Sequence, residues 1–453
     1  MKQILTYFFL LCISLAQAQF GNRIIIEEDI LTPRYISSGD LNSDGFTDII
    51  VSYSHKFVWF ENLAGTGDFS SENVINTGHG QSFSNAVADL DGDGDLDLLF
   101  TSFDDSLVYW YENLDGLASF SSPRLIDNTL YAADDVSAFD LDGDGDLDVL
   151  VTSDYDDTVS WFENLDGEGD FGEVNVINQG QNNGRFSRAG DLDGDGDLDI
   201  VTTNFGNTTL NWFENLDGLG NFSIPKVIHG ADQSTHSFDL VDLDNDGDLD
   251  IAAVTNGRDR VQWFENIDGL GNFSDIIVIT EDAPGSRNMR TADFDLDGDL
   301  DLLYSTSLES AFSWHSNLDG LGTFGPRIII DEGGMFHRQA IPVDLDNDGD
   351  KDVVGIIQNN NILVYYENLT ILGVPELDTS QIIITPNPVA ATLHIYSPKF
   401  VIDAIQIRDI QGKLWLVKNE PPKDINVSNL SSGVFFVTLS VGSQQIIKQI
   451  IKK

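Results

Sequence analysis

The sequence predicts an all-β fold: a seven-bladed β-propeller followed by a small β-sandwich. Three observations predict it. Two markers recur in phase with a period of 51 residues, each period holds four strand-like segments, and the composition changes beyond residue 370.

The first marker is the nonapeptide type Asp-Leu-Asp-Gly-Asp-Gly-Asp-Leu-Asp. It begins at Asp40, Asp89, Asp140, Asp191, Asp242, Asp293 and Asp344, with one step of 49 and then steps of 51. The second marker is Trp59, Trp110, Trp161, Trp212, Trp263, Trp314 and then Tyr365, most of them inside Trp-Phe-Glu-Asn-Leu-Asp-Gly. In the second unit, strands are expected at Ser84 to Ala88 before the Asp loop, Leu98 to Thr101 after it, Leu107 to Glu112 around the Trp, and Phe120 to Ile126 after the Asn-Leu-Asp-Gly turn. Four antiparallel strands in about 50 residues, repeated seven times, predict propeller blades. A solenoid is the competing arrangement, but no atypical capping repeats are visible. The paired aromatics at successive strand positions are read as packing between blades rather than as sugar-stacking surfaces.

The phase of the repeat predicts how the ring closes. Phe20-Gly21-Asn22-Arg23-Ile24-Ile25-Ile26 matches the fourth-strand segment Phe324-Gly325-Pro326-Arg327-Ile328-Ile329-Ile330, whereas the seventh unit leaves the pattern after Leu369. Arg23 to Glu28 is therefore expected to supply the missing strand.

The chain carries 75 acidic against 23 basic residues, a formal net charge of -52, and 41% hydrophobic residues. That balance argues against nucleic acid and anionic membrane surfaces as partners, because their phosphates would be repelled. The apolar fraction is enough for packed cores. Of the acids, 33 are Asp within the seven loops. Carboxylates at loop positions 1, 3, 5 and 9, Gly at 6 and a backbone carbonyl at 7 follow the ligand logic of a Ca²⁺ loop. The candidate ligands are Asp40, Asn42, Asp44, Phe46 (carbonyl) and Asp48 in the first loop and Asp89, Asp91, Asp93, Asp95 and Asp97 in the second. The third and fourth offer Asp140, Asp142, Asp144, Asp146, Asp148 and Asp191, Asp193, Asp195, Asp197, Asp199. The last three offer Asp242, Asp244, Asp246, Asp248, Asp250; Asp293, Asp295, Asp297, Asp299, Asp301; and Asp344, Asp346, Asp348, Asp350, Asp352. Zn²⁺ is disfavoured by one Cys and scattered His, and Mg²⁺ by its strict octahedral demand.

Residues 1–18 read as a secretory signal peptide, with Lys2, an apolar run from Ile4 to Leu15 and the Ala16-Gln17-Ala18 cleavage pattern. A lipoprotein reading of Cys12 is opposed by bulky Leu11. No other segment approaches the roughly 20 apolar residues of a membrane helix. Cleavage would leave a chain without cysteine, so metal ions are the expected substitute for disulfides.

The loops, the strand after them and the period resemble FG-GAP/VCBS-type repeats, the calcium-loop propeller repeats of integrin α-subunit heads, over residues 20–369. The resemblance implies calcium on one face of the disc and ligand binding on the opposite face. Six residues before each Asp loop stand Arg34, Phe83, Asp134, Arg185, His236, Arg287 and Arg338, with Arg188 and Arg290 three residues on. Four arginines at equivalent positions, among 14 basic residues in the propeller, are expected to ring the mouth of the central channel. They read either as a patch for an anionic ligand such as a uronic or sialic acid, or as an ion-pair network.

After a linker at 370–381, residues 374–453 hold 6 acids against 8 bases. Pro386-Asn387-Pro388-Val389, Leu393-His394-Ile395, Ile407 to Lys413, Ile425 to Ser428, Ser432 to Phe435 and the Lys452-Lys453 end read as short strands and turns. Together, over 382–453, they resemble the type A C-terminal sorting domain of the type IX secretion system. That implies handling by this machinery and a secreted protein or one on the outer-membrane exterior of a Gram-negative bacterium. The expected function is a calcium-binding recognition or adhesion module for a glycan or protein ligand. The alternatives are an exported polysaccharide lyase or hydrolase and a structural surface-layer component. No catalytic motif singles out any residue.

Overall fold

In the computed structural model the described residues are 20–63, 65, 67–77, 80, 82–180, 184–204, 208–229, 235–370, 383–397, 402, 404–409, 413–419, 424–441 and 444–453. The signal peptide and almost all of the linker, 371–381, lie outside them. The chain divides into two compact units, residues 1–372 and 373–453.

In the first unit the described residues form seven four-stranded antiparallel sheets. This all-β repetition is consistent with a β-propeller. The second strand of each sheet, such as Asp97–Ser102 or Asp250–Thr255, is buried at every position. Such a strand has neighbours on both faces, which is why it reads as a continuous rather than alternating apolar run. The third strands are nearly as buried, and all six repeat tryptophans and Tyr365 lie in the core. The fourth strand starts later than the sequence suggested: Arg124–Asp127 forms the strand, while Phe120 makes only an isolated bridge to Asn113. Phe120 instead fills an apolar cluster with Trp59 and Tyr111.

The first strands pack one on the next through the whole series, and the last, His337–Val343, packs against the first, Pro33–Gly39. Across this junction the Ile36 amide donates to Gln339 Oε1 at 2.9 Å, and Gln339 Nε2 returns a bond to the Ile36 carbonyl at 3.2 Å. One apolar cluster joins Ile36, Ile49, Val51 and Phe60 to Ile341, Val354, Ile356 and Leu363. The N-terminal strand does what its sequence phase requires. Ile24–Glu27 pairs antiparallel with Ile362–Tyr366, Ile24 opposite Tyr365 and Ile25 opposite Val364. Arg23 fixes its start, with Nε donating to Asp331 at 3.2 Å and to Tyr366 Oη at 3.3 Å, and Nη2 donating to the Gly333 carbonyl at 2.7 Å.

Two devices tie neighbouring sheets together. The Asn of each Glu-Asn-Leu motif is buried, and its Nδ2 donates to a loop carbonyl of the preceding repeat. Asn113 reaches Leu41 at 2.9 Å, Asn164 reaches Leu90 at 2.9 Å and Asn215 reaches Leu141 at 2.9 Å. Asn266, Asn317 and Asn368 repeat the contact, and Asn62 makes it to Leu345 of the last repeat at 2.7 Å. In the same turn, Gly220 has φ +74° and lies so close to Trp161 of the preceding repeat that a Cβ would sit 2.3 Å from Cζ2. Both the backbone conformation and the missing side chain are required there.

The second unit holds a three-stranded sheet, Ile383–Thr385, Thr392–Tyr396 and Asp424–Asn426, and a four-stranded one formed by Leu414–Asn419, Ala404–Asp409, Gly433–Val441 and Gln444–Lys452. Leu393, Ile395 and Ile425 of the first share a core with Ile405, Ile407, Val437 and Leu439 of the second.

Candidate functional site

Each Asp loop joins the first and second strands of a sheet. Position 9 opens the second strand and is buried in every repeat: Asp48, Asp97, Asp148, Asp199, Asp250, Asp301 and Asp352. Its two oxygens accept backbone N–H groups, one from inside the loop and one from the buried Asn of the third strand. For Asp97 these are Leu90 at 2.9 Å and Asn113 at 2.8 Å. Burial nevertheless pushes Asp97 up to about 7 against those two donors, with the charges of Asp91 and Asp93 adding to the rise.

The other acids fold the loop around its own amides. Position 1 accepts from Gly at position 6, as Asp89 does from Gly94 at 3.0 Å. Position 5 accepts from the amide of position 7, as Asp93 does from Asp95 at 2.9 Å. Position 7 points elsewhere: the Asp95 carboxylate lies against Gly116 of the Asn-Leu-Asp-Gly turn, and Phe46 lies against Gly65 in the first repeat. Asp350 differs. It is buried, both its oxygens lack a hydrogen-bond partner, and burial with four neighbouring carboxylates pushes it up to about 8.

Among the described residues at least five loops bring three carboxylate oxygens within 4.8 Å of one another: Asp89, Asp91 and Asp97; Asp140, Asp142 and Asp148; Asp191, Asp193 and Asp195; Asp242, Asp244 and Asp246; Asp293, Asp295 and Asp297. Several of these oxygens are buried without a partner, among them Oδ1 of Asp89, Asp193, Asp242, Asp244 and Asp295. Unpartnered buried carboxylate oxygens converging on one point are costly without a cation. The donor set is all oxygen, so these loops fit a hard metal ion.

At the other end of the same first strands, roughly 20 Å away for a seven-residue strand, a second constellation forms. Arg34, Asp134, Arg185, His236, Arg287 and Arg338 line one cavity of about 180 Å³, together with Tyr35, Asp135 and Phe186. The side chain of Phe83 lies outside the described residues. Arg185 lies 3.9 Å from Asp134 and donates to Asp154 at 3.4 Å. Arg338 Nε donates to the Arg34 carbonyl at 2.8 Å, and Arg287 contacts His236 Nε2 at 3.2 Å. Burial, reinforced by the Arg34 and Arg287 charges, pulls Arg338 down to about 9. Burial and the charges of Arg287, Arg338 and Arg185 hold His236 neutral, near 3, and burial pushes Asp134 up to about 7. Arg188 and Arg290 lie one layer deeper, lining an adjoining cavity, with their guanidinium groups 4.1 and 5.6 Å from the Phe186 ring centroid. Arg188 also pairs with the buried Asp135 at 3.4 Å.

The sequence spacing brings the predicted basic residues together. It did not single out Asp135, Tyr35 or Phe186, which carry no repeat marker.

An all-β chain built of repeated four-stranded sheets, each carrying one acidic oxygen-donor loop, defines a class of acidic-loop repeat proteins. The FG-GAP-like repeat profile matches residues 40–100, 89–151, 140–202, 191–253, 242–304 and 293–355, and the chain belongs to this family. Residues 384–453 match the secretion system C-terminal sorting domain, which marks the protein as a secreted or cell-surface substrate of type IX secretion. Among the described residues no helix is long and apolar enough to cross a membrane. No curated protein matches the chain. Among solved structures it is similar to an Agrocybe aegerita lectin described for specific recognition of non-reducing terminal N-acetylglucosamine. That pair is 20% identical over 67% of this chain and 81% of the lectin, with a TM-score of 0.51. It is also similar to PorZ, a surface component of the type IX secretion system of Porphyromonas gingivalis. There the identity is 11%, over 92% of this chain and 60% of PorZ, with a TM-score of 0.48.

Proposed function

We propose that the protein is a seven-bladed β-propeller of residues 20–369 that binds Ca²⁺ in its Asp loops and acts as a recognition or adhesion module for a glycan or protein ligand. On this reading residues 1–18 are a signal peptide, 370–381 a linker, and 382–453 an immunoglobulin-like sandwich handled by the secretion machinery. The observation that carries the binding role is the cationic cavity. Four arginines share it with two acids, and Arg34, Arg287 and Arg338 are all pulled below the usual arginine range by burial first. A carboxylate entering there would offset that mutual repulsion through charge-assisted, bidentate bonds. The lectin neighbour supports a glycan as the ligand.

The test is a glycan array run in calcium with the wild type and with Arg185→Ala/Arg287→Ala, beside a reducing-end release assay. Binding lost in a variant that still melts like the wild type supports recognition. Release of reducing ends by the wild type, lost in the variant, would replace this reading with a lyase or hydrolase. A variant that fails to fold would make the arginines an ion-pair network.

A further inference from the structure

Beside the cavity lies an aromatic cluster that the reading above does not use. Phe103 and Tyr155 follow the second strands Asp97–Ser102 and Asp148–Ser153 of adjacent repeats, and Tyr131 precedes the first strand Ala133–Phe139. The Tyr155 ring centroid is 5.4 Å from Phe103 and 5.2 Å from Tyr131. Tyr131 is 56% exposed and Tyr155 60%, and among the described residues of the repeats they are the exposed large aromatics.

The cluster is held on the same frame as the cavity. Ser153 Oγ donates to the Tyr131 carbonyl at 2.6 Å, and the Asp154 amide donates to the Ala132 carbonyl at 3.0 Å. The Tyr131 amide donates to Asp156. Asp154, next to Tyr155, takes the 3.4 Å bond from Arg185, and Asp134, three residues beyond Tyr131, lines the cavity wall. Arg185 keeps 38% of its side chain exposed between the two.

Aromatic faces set in an otherwise polar surface bind flat apolar faces, and the C–H face of a pyranose is one. Charge limits what can lie there. Asp104 and Asp105 directly follow Phe103, and Asp156 and Asp157 directly follow Tyr155. Within a screening length of about 8 Å those carboxylates repel an anion placed on the rings. The cavity, at about 180 Å³, is smaller than the roughly 300–1,000 Å³ of pockets that enclose drug-sized ligands. It suits one residue, not a chain.

We infer that the cavity and this aromatic shelf are adjacent subsites for an oligosaccharide with a single terminal acidic residue. The carboxylate sits among Arg185, Arg287 and Arg338, the next, neutral sugar stacks on Tyr155 and Tyr131, and the bordering aspartates reject polyanions. The inference rests on the recognition reading of the cavity.

The experiment is titration calorimetry on the calcium-loaded full chain with three probes: free glucuronate, a disaccharide of glucuronate linked to a neutral hexose, and polygalacturonate. Tyr131→Ala/Tyr155→Ala is expected to weaken the disaccharide about tenfold, equivalent to ~1.4 kcal/mol, with glucuronate affinity unchanged. Tyr155→Phe keeps the ring and is expected to keep the affinity. Disaccharide binding unmoved by the double variant, or lost equally in Tyr155→Phe, overturns the shelf while leaving the cavity reading intact. Polygalacturonate binding tighter than the disaccharide overturns the selectivity. Failure of the wild type to bind either glucuronate probe overturns the cavity reading, and the shelf with it.

Discussion

Removing residues 20–28 should destabilise the whole ring rather than fray one end. The structure sets the magnitude. Phe20 is 8% exposed and packs edge-on against Phe294 and Trp314 at 5.8 and 6.3 Å. Deleting a buried Phe costs about 3–5 kcal/mol. Losing the strand pairing with Ile362–Tyr366 and the Arg23 bonds to Asp331 and Gly333 adds roughly 1 kcal/mol for each hydrogen bond broken, so the total is about 6–9 kcal/mol. Ile24 and Ile25 are exposed and add little. For a unit of roughly 350 residues the unfolding entropy is about 0.7 kcal/mol/K, so the melting temperature should fall by about 8–12 °C. The deletion also bares Ile362–Tyr366 as an unpaired apolar edge, which should raise aggregation. Calorimetry at saturating calcium, with light scattering, reads both effects. A deleted chain melting in one transition at the wild-type temperature would refute the role of this strand.

Asn215→Ala should cost about 1–3 kcal/mol, because it leaves the buried Leu141 carbonyl without its donor; chemical denaturation reads the loss, and Asn215→Asp should not restore it. If calcium stands at about ten times each loop's dissociation constant, every site adds ~1.4 kcal/mol and seven sites roughly 10 kcal/mol. Chelation should then lower the melting temperature by 10 °C or more, and an unchanged melt would refute calcium as a condition of folding. Burial pushes Asp331 up, but hydrogen bonds from His337 and Arg23, with the Arg23 charge, hold it below the usual carboxylate range. A depressed carboxylate gives stability that is complete above its unfolded value, about 4, and is lost as pH falls through the folded value. The melting-temperature gap between wild type and Asp331→Asn should thus be full at pH 6 and shrink below pH 4; a gap that widens in acid would reverse the assignment.

Periodicity makes most of this molecule legible in its sequence. The Asp loops, the buried aromatics and the N-terminal strand all announce themselves because their partners stand at the same phase of neighbouring repeats. The arginines converge for the same reason: equal offsets from equal loops end at one place. What escaped was whatever depends on contact between unlike positions. Asn215 looks like an ordinary turn residue, yet its partner carbonyl is 74 positions away and one repeat back. Gly220 reads as a turn glycine too, while the side chain that forbids a Cβ there belongs to Trp161. The start of the fourth strand was misplaced because Phe120 has strand-like neighbours but is claimed by the cluster around Trp59. Tyr131 and Tyr155 recur in no other unit, and Phe103 recurs only as Phe205, so the period could not mark the cluster.

The Arg23 anchor also has a temporal side. It meets Tyr366 across 343 positions of chain, and at about 5–20 residues per second of synthesis that partner emerges tens of seconds later. The first strand made is thus the last to be satisfied. Until then every intermediate is an open arc with a free edge at each end, and the sorting signal follows only after the closing strand has been produced. A contact so distant in sequence forms slowly, so joining the two ends is a late step of folding.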